Sequence, residues 1–200
     1  MGSALLAMLA MPTASCLITS NPQFEDPPRT APFFLVDRAS PDPRQIIKLE
    51  ATDAQLELSA LFRSEDGQSL DSAGNREGVR VKLLVDYGQK GALGHPFRSQ
   101  TEAPTVAAGS WDDPPREARA TWTEDELHMG PGCHRLTMMI SHAFDAGTGC
   151  PSTKGDYDVV TWTVVRCDES GCPEVDLLTG CPGITESCVD EGTAEPTEVP

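Results

Sequence analysis

Seven side chains that can ligate a soft metal lie within one stretch of fifteen residues. They are His128, Met129, Cys133, His134, Met138, Met139 and His142. Imidazole, thioether and thiolate groups together suit copper. The period-two pattern places this stretch on a strand, where four residues span about 13 Å, too far for both ends to reach one ion. We therefore predict no metal site, and a periplasmic copper-handling protein that uses the His/Met cluster remains the alternative function.

Carboxylates and cysteines supply two more sets of candidate ligands. One set crowds a single loop and comprises Asp66, Asp71, Asn75 and Glu77. Its spacing does not fit the calcium loop of an EF-hand. The other set lies near the C-terminus and comprises Cys167, Cys172, Cys181 and Cys188. For the first set we therefore expect a solvated loop. The cysteine set lacks the paired C-x-x-C segments of structural zinc sites, so we expect these cysteines to form disulfides and not to bind zinc.

The sequence contains none of the common catalytic motifs. It has no G-x-S-x-G, H-E-x-x-H, P-loop or dinucleotide-binding motif. Ser141, His142 and Asp145 are the residue types of a hydrolytic triad, but adjacent strand residues point to opposite faces. We predict that the chain is not an enzyme and that it has no cofactor, and no small-molecule substrate is evident from the sequence. A small hydrolase with an unrecognised site is a third hypothesis.

The first sixteen residues have the pattern of an export signal. An apolar run from Ala4 to Met11 has the length of a signal-peptide core and is too short to span a bilayer. The small residues Thr13, Ala14 and Ser15 then precede Cys16, and together they resemble the bacterial lipobox. The resemblance implies cleavage before Cys16, lipidation of that cysteine, and a membrane as partner through the lipid. A plain signal peptide or a buried N-terminal segment is the alternative.

The odd number of cysteines, seven, agrees with lipidation of one of them. The other six form three disulfides in our prediction, which implies an oxidising compartment such as the periplasm or the cell surface. They are Cys133, Cys150, Cys167, Cys172, Cys181 and Cys188. A hairpin centred on Cys150 sets Cys133 opposite Cys167, so we predict a bond between these two. The remaining four allow three connectivities, of which Cys181–Cys188 and Cys172–Cys181 are the easier local pairs.

Composition divides the chain into four regions. Residues 1–15 are the signal peptide, 16–32 a Pro-rich tether, 33–167 the folded domain and 168–200 a Cys-containing tail. The tail holds nine carboxylates and no Lys or Arg, and we expect it to be partly disordered. The whole chain has 15 Lys and Arg against 31 Asp and Glu, a net charge of −16, which argues against nucleic acid as a partner.

Alternation of apolar and polar residues predicts seven short strands within residues 33–167. They cover Phe33–Val36, Ile46–Leu49, Leu56–Phe62, Val79–Tyr87, Ala118–Trp122, His134–Ile140 and Val160–Val164. The polar segment 88–115 gives no firm strand. The pattern predicts an all-β fold, a single antiparallel sandwich of about seven strands with one face of each strand in the core and the other in water.

Residues 132–141, with the sequence GCHRLTMMIS, resemble the penultimate strand of PKD-type and other immunoglobulin-like domains. His134 stands where those domains usually have Tyr. Val159–Val165, with Trp162, suits the last strand of such a domain. The layout of the whole chain also resembles uncharacterised lipoproteins of Gram-negative bacteria. These resemblances imply a non-catalytic, immunoglobulin-like binding or structural module, anchored by lipid at the periplasmic or surface side of the envelope, with another envelope protein as a candidate partner.

Overall fold

A computed structural model describes residues 31–66, 78–91, 93–175, 181 and 188. Within these residues the chain forms eight β-strands and no helix. The strands are β1 (Phe33–Ser40), β2 (Ile47–Leu49), β3 (Gln55–Arg63), β4 (Val79–Val85), β5 (Ser99–Val106), β6 (Arg116–Thr123), β7 (Gly132–Ser141) and β8 (Tyr157–Arg166). Each of the seven predicted strands coincides with one of these. The eighth, β5, lies in the polar segment to which no strand was assigned.

The strands form two sheets, one of three strands in the order β1-β3-β6 and one of five in the order β2-β8-β7-β4-β5. Every described pair is antiparallel except β2 and β8, which run parallel. The chain leaves β1 in one sheet, forms three-residue β2 at the edge of the other, and returns to β3, and this excursion sets the direction of β2. The all-β fold is confirmed, and the expectation of a wholly antiparallel arrangement was wrong at β2.

Buried residues of both sheets form one hydrophobic core, in which the largest side chains are Trp122 of β6 and Trp162 of β8. Full burial of a large apolar side chain contributes about 2–3 kcal/mol. Each indole N–H is paired: Trp122 donates to the carbonyl oxygen of Leu127 at 2.6 Å, and Trp162 donates to that of Pro41 at 2.6 Å. The rings therefore enter the core without leaving a buried donor unpaired.

Part of the outward face of the five-stranded sheet is buried as well. Leu84 of β4 and Met139 of β7 form a second cluster with Phe97. Phe144 and Cys188 pack against that cluster from the segments beyond the strands. Alternation in β4 and β7 therefore separates two buried faces, and the expectation that the second face is solvated was wrong here.

The pairing of β7 with β8 differs from the predicted register by two residues. Leu136 lies opposite Trp162, and Cys133 lies opposite Val165. The loop between the strands folds around Asp145, whose carboxylate accepts hydrogen bonds from the backbone of the next turn. The hairpin consequently centres on Gly149, which adopts a left-handed φ of 74°, instead of on Cys150. A shift of the centre by one residue moves the register by two.

The predicted Cys133–Cys167 bond was wrong because of this register. The six cysteines form the three disulfides Cys133–Cys181, Cys150–Cys188 and Cys167–Cys172, with Cα–Cα separations of 5.4, 5.5 and 4.1 Å. The local pairs favoured among the last cysteines, Cys181–Cys188 and Cys172–Cys181, were wrong too. The number of disulfides is confirmed, and two of them join Cys181 to β7 and Cys188 to the loop between β7 and β8.

Candidate functional site

A groove of about 530 Å³ opens on the outward face of the five-stranded sheet. Its volume lies in the range of small-ligand pockets. The side chains that line it with charge, polarity or an aromatic ring are Arg80, Lys82, Glu102, Thr105, His142 and Phe144. Because Val79, Val81 and Leu83 point into the core, the period of β4 sends Arg80 and Lys82 to the outward face.

Lys82 is a buried cation within this groove. Its side chain is only 4% exposed. Nζ lies 3.2 Å from Oε1 of Gln100, 3.6 Å from Oε1 of Glu102, and 4.7 Å from the centre of the Phe144 ring. The ring contact is a cation–π interaction. Only the contact with Gln100 is a hydrogen bond, whereas an ammonium group carries three donors. Lys82 therefore keeps hydrogen-bonding capacity inside the groove.

Arg80 lies two residues before Lys82 on the same face of β4, and it is exposed. Its guanidinium makes no ion pair or hydrogen bond with any residue in the described part of the chain. The Cα atoms of residues two apart on a strand are about 7 Å from each other, so both long side chains can reach one small group. The groove thus presents two cations on one face of β4.

His142 forms the wall of the groove next to Phe144. Its Nδ1 lies 2.6 Å from Oδ1 of Asp156, and its Nε2 lies 3.1 Å from Oδ1 of Asp66. Since a carboxylate faces each ring nitrogen, both nitrogens carry a proton and the ring is an imidazolium. The hydrogen bond to Asp156, then the one to Asp66, outweigh burial and raise the pKa of His142 to about 9.

Asp66 anchors this network from the end of β3. Its side chain is fully buried, and it pairs with the guanidinium of Arg116. Ser64 and the backbone N–H of Gly109 also donate to it. Burial alone raises the pKa of Asp66, but the hydrogen bonds from His142, Arg116, Ser64 and Gly109 hold that pKa well below its usual range. With all these donors satisfied, the network fixes the ends of β3, β6 and β7 relative to each other.

A second buried histidine, His134, belongs to a different network at the opposite end of β7. Its Nδ1 lies 3.0 Å from Oδ2 of Asp86, and its Nε2 lies 2.7 Å from the carbonyl oxygen of Gly130. Asp86 has a left-handed φ of 54° and also accepts from the N–H of Arg135. Burial raises the pKa of Asp86, yet the His134 and Arg135 hydrogen bonds and the charge of Arg98 lower it overall. This cluster fastens the loop after β4 to β7.

The structure does not assemble the residues considered for copper. Met138 belongs to the core between the sheets, whereas Met139 belongs to the outward cluster. Cys133 is bonded to Cys181. His134 is held by Asp86 and the carbonyl oxygen of Gly130, and His142 is held by Asp156 and Asp66.

The triad residue types are also kept apart. The Ser141 hydroxyl donates to the carbonyl oxygen of Ala143 at 2.9 Å. Asp145 accepts from the turn at Thr148 instead of meeting His142. No nucleophile–base pair forms among Ser141, His142 and Asp145.

The other predicted positions have separate outcomes. Of the candidate calcium ligands, Asp66 is held by cations, and the remaining three lie outside the described residues. Cys167 and Cys172 come close to a carboxylate oxygen of Glu50, but disulfide sulfurs are not thiolate ligands. Cys16, the predicted lipidation site, lies outside the described residues.

Lys82 and Arg80 were not predicted as site residues because alternation along the strand places them on a solvated face. A signal was present in Leu84 and Met139, two apolar residues in the outward register of β4 and β7. Apolar residues on both faces of a strand indicate a sheet covered on both sides.

Comparison of the chain with protein families, with curated proteins and with solved structures finds no match in any of the three. The described residues contain no helix that is long and apolar enough to cross a membrane. The function must therefore be argued from the site and the disulfide framework.

Proposed function

We propose that this protein is a lipid-anchored lipoprotein of a bacterial cell envelope, whose immunoglobulin-like domain is a non-catalytic binding or structural module. In this proposal residues 1–15 are a signal peptide, Cys16 carries the lipid, and residues 16–32 space the domain from the membrane. The domain meets another envelope component through its sheet edges, loops or outward groove.

The pairing of the cysteines is the observation that carries the proposal. Six of the seven are joined in three disulfides, which leaves Cys16 as the single cysteine without an assigned sulfur partner. Disulfides persist in oxidising compartments and are rare in the cytosol. An exported chain with one remaining cysteine at the end of a lipobox-like segment has a chemical use for that thiol in acylation.

The strand order supports an immunoglobulin-like domain. In such domains one sheet contains strands A, B and E, and the other contains G, F, C and, in the variable type, C′. The orders β1-β3-β6 and β8-β7-β4-β5 follow that scheme, with β2 added beside β8.

His134 supplies a second argument for this fold. Immunoglobulin-like domains carry a Tyr near the start of strand F whose hydroxyl bonds to the backbone a few residues upstream. His134 lies near the start of β7, and its Nε2 lies 2.7 Å from the carbonyl oxygen of Gly130, four residues upstream. The imidazole thus makes the corner contact that Tyr makes in those domains.

Metabolic labelling with palmitate tests the anchor. We expect label in the full chain and none in the Cys16→Ala variant, while a Cys16-independent change such as Leu93→Ser leaves labelling intact. Thiol counting on the non-reduced, denatured protein should find no free thiol among the other six cysteines. Unlabelled wild type, or six reactive thiols, would refute an exported lipoprotein.

A further inference from the structure

The outward groove contains a buried cation, Lys82, and the described residues use only one of its three hydrogen-bond donors. We propose that this groove binds the carboxylate group of a small organic molecule, with Lys82 and Arg80 as its cationic contacts. The inference rests on the binding role proposed above and not on the lipid anchor.

Lys82 is the main reason for expecting a ligand. Burying an ammonium group is costly unless charges and hydrogen bonds compensate it. Its ion-pair partner, Glu102, is 71% exposed and sits 3.6 Å away, so the pair is long and open to water. The single hydrogen bond, to Gln100 at 3.2 Å, leaves two N–H donors for an oxygen acceptor in the groove.

Arg80 gives the site its second cation. Its guanidinium is exposed and has no partner among the residues that the structure describes, yet it lines the same groove as Lys82. Guanidinium and carboxylate form a charge-assisted pair with two parallel hydrogen bonds. A site of this kind on a chain of net charge −16 is a local exception to the overall field, which otherwise repels anions.

The charges around the groove favour a monovalent anion over a divalent one. Lys82 and Arg80 are two positive charges, and two carboxylates oppose them: Glu102, which pairs with Lys82, and Asp145, which interacts with the charge of Lys82. The imidazolium of His142 is already matched by Asp66 and Asp156, and both of its nitrogens are in use. A ligand carboxylate brings one negative charge to this set, whereas a phosphate dianion brings two and is repelled more strongly by Glu102 and Asp145.

The wall of the groove favours an organic ligand over a bare inorganic ion. The ring of Phe144 lies beside the Lys82 ammonium. The small residues Ala103 and Ala107 also line the groove. The lining exposes more polar than apolar surface, and an aromatic body attached to the carboxylate packs against its one aromatic ring, that of Phe144.

The test is a titration of the full-length, disulfide-bonded protein followed by the NMR shifts of the Lys82 and Arg80 side chains. Sodium benzoate, its neutral counterpart benzamide, and inorganic phosphate are the probes, all at constant ionic strength. We expect a saturable shift with benzoate at a Kd on the order of 1 mM, a response to phosphate at least about tenfold weaker, and no saturable response to benzamide.

Two variants and a control identify the contacts. Arg80→Gln and Lys82→Met should each weaken benzoate binding about tenfold, because each removes one of the two cationic contacts to the carboxylate. Arg119→Gln, an exposed arginine on the other sheet, should bind as wild type does. Arg80 is exposed, so its variant keeps the test decisive if Lys82→Met misfolds.

Three results would overturn the inference. One is the absence of a saturable benzoate shift up to about 50 mM, far above a millimolar Kd. Another is equal binding of benzoate and benzamide, which would make the groove an apolar pocket only. The third is a tighter fit of phosphate than of benzoate. Palmitate labelling is unaffected by all three, so failure of this site and failure of the anchor are distinguishable.

Discussion

Stability should fall as the pH rises from neutral to alkaline because His142 loses its proton. Its pKa is about 9 in the folded chain and about 6.5 in the unfolded chain. The folded state therefore holds the proton more tightly, so the contribution is complete below pH 6.5 and disappears as the pH rises through 9. The full difference in pKa corresponds to about 3 kcal/mol. Since the His142 side chain is 20% exposed, solvent screening reduces our expectation to about 2 kcal/mol.

Urea unfolding followed by tryptophan fluorescence at pH 6.5, 8 and 9.5 measures this contribution. In wild type we expect the free energy of unfolding to drop by about 2 kcal/mol across that range. The His142→Gln variant should start about 2 kcal/mol lower at pH 6.5 and change little with pH. His128→Gln, which alters a histidine that is 79% exposed, is the matched control and should keep the wild-type slope.

Equal slopes in wild type and His142→Gln would refute the argument, because another group would then carry the alkaline titration. The Asp156→Asn variant provides an independent check. It removes the partner that contributes most to the raised pKa of His142, so the loss of stability should begin at lower pH. An unchanged pH midpoint in that variant would show that the Asp156 contact is not the cause.

Three further changes test the packing. Replacing Cys133 and Cys181 together by Ser opens a 48-residue loop and should cost about 4 kcal/mol in the chain-entropy model, read from guanidinium unfolding; a cost below about 1 kcal/mol would contradict that linkage. Met138→Ala removes a fully buried side chain and should cost about 3 kcal/mol, with Met138→Leu nearly neutral as its control. Gly149→Ala should cost about 2 kcal/mol, because φ is 74° and the added Cβ would lie 2.8 Å from an atom of the Phe97 ring; an unchanged thermal midpoint would contradict the strained turn.

The strands with apolar alternation were predictable from sequence because one face of each meets a shared core. β5 was not, and its sequence SQTEAPTV shows why. As an edge strand it pairs only with β4, so half of its backbone groups need no partner and its side chains need not be apolar. Pro104 lies where the β4–β5 register shifts, a position at which a missing N–H donor is tolerated.

The disulfide pattern was beyond sequence reasoning for a different reason. A one-residue change in the centre of a long loop changes the strand register by two, and alternation does not detect a two-residue slip because the same faces stay buried. Inward and outward residues of β7 were therefore assigned correctly while their partners on β8 were not. The pairing of Cys150 with Cys188 depends on where Cys188 packs against the sheet, which no local pattern encodes.

The position of Cys188 also explains why a lysine in an ordinary strand position becomes part of a site. An outward Lys on a half-exposed sheet would extend into water with its charge fully hydrated. Here the Cys150–Cys188 bond holds the β7–β8 loop and Cys188 against the outward cluster, where Phe144 packs as well. Phe144 then contacts the Lys82 ammonium, which loses most of its water but gains only one hydrogen bond. The groove can therefore accept an anion, because the second face of the sheet is covered at a position where the sequence has a lysine.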